Sequence, residues 1–165
     1  RIDATVDLAV EASGGPGLAP VEGRRLASEA RGVLDVLSNR RDAEVKRALS
    51  MVLDAVEALE RELELLQRRN MLSARGVALR PCPVSIGADG LVAERALDRV
   101  GEVVVHLCLY MRGQQHLLSL PAEVAPDGRQ VCFNNTDPAD RDTLVAWIFE
   151  QQRKERRREL DAVAG

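Results

Sequence analysis

Residues 45–70 read VKRALSMVLDAVEALERELELLQRRN, and their spacing constrains everything around them. Val45, Leu49, Val52, Val56, Leu59, Leu63, Leu66 and Asn70 recur at alternating steps of four and three. This is a heptad repeat, with Leu49, Val56, Leu63 and Asn70 at a and Val45, Val52, Leu59 and Leu66 at d. Glu57, Glu60, Arg61, Glu64, Arg68 and Arg69 fall on the outer faces, as on a solvated helix. A helix over about 42–70 extends about 43 Å at 1.5 Å per residue. A globular unit made from the C-terminal half would be roughly 30 Å across. The helix must overhang such a unit, so its apolar stripe needs another helix. Self-association is predicted. Valine at d, small Ala48 and Ala55 at g, and Leu53 at e favour four strands; Val56–Leu59 is a dimer-like exception, and Asn70 at a can fix register. A homotetramer is expected, with a dimer as the next choice.

Upstream, a first helix is predicted from about Pro20 to Ser38. Leu26, Ala30, Val33 and Leu37 form one stripe, and Pro20 suits the first turn. The stripe loses phase at Ser38–Asp42, where Asn39 or Asp42 would cap the next helix. Gly14-Gly15-Pro16-Gly17 interrupts regular structure. Residues 1–12 fit two patterns: Val6, Leu8 and Val10 alternate like a strand, whereas Ile2, Val6 and Ala9 fit a helix. Residues 1–72 are assigned to a helical oligomerisation region.

Downstream the period changes to two. Strands are predicted at Gly76–Leu79, Leu91–Ala93, Val103–Tyr110, Leu117–Leu120 and Val131–Phe133, with turns at Gly87–Gly90, Arg112–Gln114 and Pro126–Gly128. On the clearest of these, Val103, Val105, Leu107 and Leu109 face one side and His106, Cys108 and Tyr110 the other. Pro121 should confine its strand to an edge or an end. A final helix opens at Asp137-Pro138 as N-cap and first residue. Leu144, Val145, Trp147, Ile148 and Phe149 are its apolar residues, and Arg153–Arg158 its polar extension. Residues 73–165 are therefore expected to form a small antiparallel barrel or sandwich with a C-terminal helix, preceded by long helices in a parallel coiled-coil bundle, and the whole chain is α+β.

Composition excludes several functions. Net charge is −3, with 45% hydrophobic and 30% charged residues, so no global basic signature for nucleic acid exists. No apolar run reaches the ~20 residues of a membrane span. Cys82, Cys108 and Cys132 are odd in number and scattered, which points to a reducing, cytoplasmic setting. They form no CxxC pair, and His106 and His116 lack metal-ligand spacing, so no metal site is expected. No catalytic constellation and no phosphate loop is found, and the chain is not expected to be an enzyme.

The segment from about Ala74 to Arg158 resembles a PilZ domain, the six-stranded barrel with a closing C-terminal helix found in bacterial cyclic di-GMP signalling. The resemblance rests on Val84-Ser85-Ile86-Gly87-Ala88-Asp89-Gly90-Leu91, the Val103–Tyr110 and Val131–Phe133 strands, and the Leu144–Arg158 helix. Nucleotide-binding members carry RxxxR before the first strand and [D/N]xSxxG at the next turn. Here Gly90 matches the final glycine, Gly87 stands where serine is usual, and Ser85 stands where Asp or Asn is usual. Arg68 and Arg69 are followed four residues on by Leu72 and Ser73, so the arginine pair is missing. Arg95–Arg99 and Arg153–Arg157 have the spacing in the wrong places. A planar two-pronged contact needs arginine itself.

The barrel fused to a heptad helix resembles a divergent PilZ type of xanthomonad-like bacteria that does not bind the nucleotide. It implies an oligomeric adaptor without cofactor, acting through protein–protein contacts with a partner yet to be identified. The alternative is a cyclic di-GMP receptor that uses atypical residues such as Arg68, Arg69, Arg75 or Arg80.

Overall fold

A computed structural model describes residues 1–14, 26–37 and 43–164. The chain divides into two units, Arg1–Leu18 with Leu72–Gly165, and Ala19–Met71. In the first unit, six strands among the described residues form a closed antiparallel barrel. They are β1 (Ile2–Ala12), β2 (Arg80–Gly87), β3 (Gly90–Ala93), β4 (Gly101–Met111), β5 (Gln114–Val124) and β6 (Gln130–Phe133), in the order β1-β2-β3-β6-β5-β4.

β1 closes the barrel. It pairs with β2 from Ile2↔Ile86 to Leu8↔Arg80, and with β4 from Asp7↔Cys108 to Ala12↔Val103. Period-two alternation sends Ile2, Val6 and Leu8 inward to meet Val103, Val105, Leu107 and Leu109 of β4 in one core. Leu144, Trp147 and Ile148 join that core from α3 (Pro138–Ala164). Their spacing of three and four puts them on one helical face. Asp137 caps this helix as expected: its Oδ1 accepts the Ala139 N–H at 2.8 Å.

Three sequence expectations are corrected here. Residues 1–72 are not wholly helical, because Ile2–Ala12 is a barrel strand. The helices therefore lie between the first two strands in the chain order, and the boundaries 1–72 and 73–165 do not hold. Gly76–Leu79 is not a strand. Gly76, at φ 72°, ends a helix instead: its N–H bonds Ser73 O at 2.9 Å, and the Val77 N–H bonds Leu72 O at 2.9 Å. Pro121 lies inside β5, opposite Val104. Its carbonyl accepts the Asn134 N–H at 2.7 Å, beyond the last β5–β6 pair, Ala122↔Phe133. A strand residue's nitrogen points the same way as its carbonyl, so the missing donor falls past the end of the short β6 ladder.

The second unit pairs α1 (Leu26–Leu37) with most of α2 (Ala43–Ala74). The expected caps Asn39 and Asp42, and the expected start at Pro20, lie outside the described residues. The Arg31 guanidinium pairs with Asp54 and, at 2.8 Å, with Glu57. Arg31 lies twelve residues before Ala43 and Asp54 eleven after it, so α1 runs back along α2. Ala27, one turn before Arg31 on the same face of α1, is buried, whereas Val33, expected on the packed stripe, is 58% exposed. The side chains of Leu26 and Leu37 lie outside the described residues.

Burial divides the surface of α2. Leu53, Glu57, Glu60 and Glu64 are half-buried on one flank. The stripe of Val45, Leu49, Val52, Leu59, Leu63 and Leu66, with each residue at least 44% exposed, is centred about 100° away at 3.6 residues per turn. Val56 within it is half-buried and Asn70 is exposed.

At Gly90 an added Cβ would lie 2.2 Å from the Val131 carbonyl oxygen across the β3–β6 pair. Gly90→Ala is expected to lose about 2–3 kcal/mol in urea unfolding followed by Trp147 fluorescence. At Gly87 the added Cβ meets the flexible Arg1 Cγ at 3.3 Å and Gly90 O at 3.8 Å, and Gly87→Ala should cost less than about 1 kcal/mol. Equal losses at the two positions would contradict the close approach.

Candidate functional site

The three motif positions share one hairpin. Ser85 lies between Asp3 of β1 and Val92 of β3, and Gly87 pairs with Gly90 where β2 turns into β3. Gly90 is required by the backbone of β6 whether or not a ligand is present. Gly87 contributes no side chain. Ser85 opens into a cavity of about 600 Å³ on the outer face of β1, β2 and β3, walled by Asp3, Thr5, Pro83, Val92 and Glu94. Its lining holds two carboxylates and no cation. Asp89, in the turn, takes Arg141 Nη2 on Oδ1 at 3.1 Å, an exposed pair worth little in water.

Of the arginines expected near this hairpin, two belong to the barrel unit and two to the helical unit. Arg68 and Arg69 are on α2, in the helical unit, and Arg68 pairs with Glu64 at 2.8 Å. Arg75 reaches Glu11 at 3.6 Å. Glu11 is eight residues along β1 from Asp3, roughly 26 Å at 3.3 Å per residue. Arg80 opens β2 opposite Leu8, five residues from Ser85.

Sequence reasoning missed a polar cluster on the outer face of the barrel. His106, 1% exposed, lies on β4 between Ala9 of β1 and Ser119 of β5. Its Nε2 lies 3.2 Å from Glu11 Oε2 and its Nδ1 3.0 Å from Ser119 Oγ. An ionised Glu11 only accepts, so Nε2–H donates to it and Nδ1 accepts the Ser119 hydroxyl. Glu11 Oε2 also receives Arg75, which places the chain leaving α2 onto this face. Burial pushes the His106 imidazole below its usual range, and Arg75 adds to this, while Glu11 pulls the other way. The available signal was the register His106–Ser119 across one hairpin. The third member, Glu11, comes from 95 residues away.

No protein-family model matches the chain, and no curated protein matches it in sequence. Among solved structures, it is similar to a pathogenic protein from Xanthomonas campestris, described as a new tetrameric PilZ domain self-assembled via an unusual helical bundle. The TM-score is 0.51 at 18% identity, covering 93% of this chain and 88% of the other. The barrel with its C-terminal helix is a PilZ-like fold. Among the described residues, no helix is long and apolar enough to cross a membrane.

His106 binds its proton less readily folded than unfolded. Stability attributable to it is therefore complete above its unfolded value of about 6.5 and falls as pH drops through that value towards the lower folded one. His106→Gln should remove this part of the slope in urea midpoints measured from pH 7.5 to pH 5.5. The carboxylate-driven slope at lower pH should remain in both proteins. Parallel curves down to pH 5.5 would contradict a buried neutral imidazole.

Proposed function

We propose that this chain is an oligomeric PilZ-like signalling adaptor that works through protein contacts and does not bind cyclic di-GMP. The observation that carries the reading is the exposed stripe on α2. Six leucines and valines, each at least 44% exposed, occupy one helical face over 22 residues. Fully burying such a side chain contributes about 1.5–3 kcal/mol, so each half-exposed residue has roughly 1 kcal/mol still to gain. A row of that length is an interface that one chain leaves uncovered. α1 occupies the flank of Leu53 and Glu57 and leaves the side of Ala48 and Ala55 open. A broad apolar sector with small residues at its edge favours more than two helices, and a tetramer is our reading. The Xanthomonas campestris protein, tetrameric through a helical bundle, supports it by analogy of fold.

The nucleotide reading loses support at the hairpin. A cyclic dinucleotide brings two phosphates. Beside Ser85 they would meet Asp3 and Glu94 with no cation in the cavity wall. Neither Gly87 nor Ser85 supplies the carboxylate or amide that would hold guanine. We see no constellation that argues for an enzyme among the described residues, and three scattered cysteines free of disulfides support a cytoplasmic setting.

Light scattering on the purified chain should give about four times the monomer mass at micromolar concentration, and Leu63→Glu should reduce it to the monomer. A monomeric wild type would overturn the reading. Calorimetry with cyclic di-GMP should show no binding at micromolar concentration, and a saturable isotherm there would restore the receptor reading.

A further inference from the structure

Two concavities in the barrel unit share a wall. The first is the cavity of about 600 Å³ over β1, β2 and β3. The second, of about 440 Å³, lies between the outer face of β1 and β4 and the second half of α3. Asp3, Ala4 and Thr5 of β1 line both. Together they make one trough running across the sheet to the helix, of a size that ligand sites use.

Its floor over the sheet is made of short or apolar side chains: Thr5, Pro83, Ser85 and Val92. Its rim there is acidic. Asp3, Asp7 and Glu94 stand on it, and none of them enters an ion pair among the described residues. Tyr110, 59% exposed, offers an aromatic face near the helix end. The basic residues of the lining, Lys154 and Arg158, are both on α3, and Lys154 is already engaged by Glu150 at 2.7 Å. The chain's own basic run thus forms the far wall and leaves the carboxylates over the sheet unmatched.

We propose that this trough is the docking site for a basic segment of a partner protein, whose arginines meet Asp3, Asp7 and Glu94 and whose apolar side chains lie on Pro83 and Val92. This rests on the adaptor reading and names the chemistry of its partner. The same rim that disfavours a phosphate favours a guanidinium, which pairs with carboxylates through a planar fork and stacks on aromatic rings.

The probe is a fluorescein-labelled octapeptide alternating arginine with valine and serine, titrated into the full chain at low salt and read by anisotropy. Wild type should bind saturably, and an otherwise identical peptide with aspartate for arginine should not. Asp3→Asn combined with Glu94→Gln should weaken binding about tenfold, as the loss of two exposed charge pairs implies. Glu123→Gln, on exposed β5 outside the trough, should leave it unchanged, and circular dichroism should find all variants folded. Equal binding by wild type and the double variant, or an equal loss with Glu123→Gln, would overturn the proposal. Each barrel carries a whole trough, so the Leu63→Glu chain should bind the peptide as wild type does. An oligomer that ignores the peptide sinks the trough alone, and a monomeric wild type that binds it sinks the assembly alone. If the Leu63→Glu chain self-associates until Asp3 and Glu94 are neutralised, the occupant is a second copy and the partner proposal fails.

Discussion

The structure depends on the two-sided pairing of β1. Without Ile2–Ala12, β2 and β4 would be open edges with unpaired N–H and C=O groups, and Ile2, Val6 and Leu8 would be missing from the core. β1 is also the strand most distant from its partners in sequence: Leu8 pairs with Arg80, and Ala9 with His106. The whole helical unit lies in the loop between β1 and β2. Closing a loop of that length costs only a little more than closing a short one, because the entropy grows with the logarithm of length. The thermodynamic penalty is therefore modest. The kinetic one is larger, since such pairing is slow to form. The antiparallel neighbours β4 and β5, joined by a tight turn at Arg112-Gly113, are placed to form before β1 closes the barrel.

What was legible in the sequence follows the same division between local and distant. Val103–Tyr110, Leu91–Ala93 and Val131–Phe133 were readable because their alternation and turns are local. So were the heptad of α2 and the Asp137-Pro138 cap. Ile2–Ala12 was not. Its alternation is sound, but an isolated strand is decided by partners that lie about 70–100 residues on, and Ile2, Val6 and Ala9 fit a helical pattern as well. Gly76 misled for a related reason. A glycine before Val77-Ala78-Leu79 looks like the start of a strand, yet its positive φ ends α2 through bonds to Leu72 and Ser73. The general rule sends Pro121 to a strand edge or end, and only the short reach of β6 explains why it is tolerated inside β5.

That Ser85, Gly87 and Gly90 share one hairpin was legible because they lie within six residues of one another. The meaning of Gly90 was not. Resemblance assigns it to a nucleotide motif, whereas the Val131 carbonyl at 2.2 Å from a would-be Cβ makes it a requirement of barrel closure. A glycine of this kind survives loss of a ligand. Its presence is thus no argument for binding, and the acidic wall beside Ser85 becomes the more informative feature. That wall needs Asp3, from the strand the sequence left undecided.

The Glu11–His106–Arg75 cluster ties these points together. Glu11 stands near the end of β1, just before the chain leaves for the helices, and Arg75 stands just after α2, where it returns. One carboxylate oxygen takes both Arg75 and His106, at 3.6 and 3.2 Å. The two ends of the barrel chain that flank the insertion are therefore tied by one acid, whose hydrogen bond to His106 and ion pair with Arg75 lie in a mostly dry layer on the barrel surface. In such a setting an unmatched partner is costly, because the remaining charge keeps little water. Loss of Glu11 would leave Arg75 and His106 to face each other, a repulsion that grows when the imidazole takes a proton.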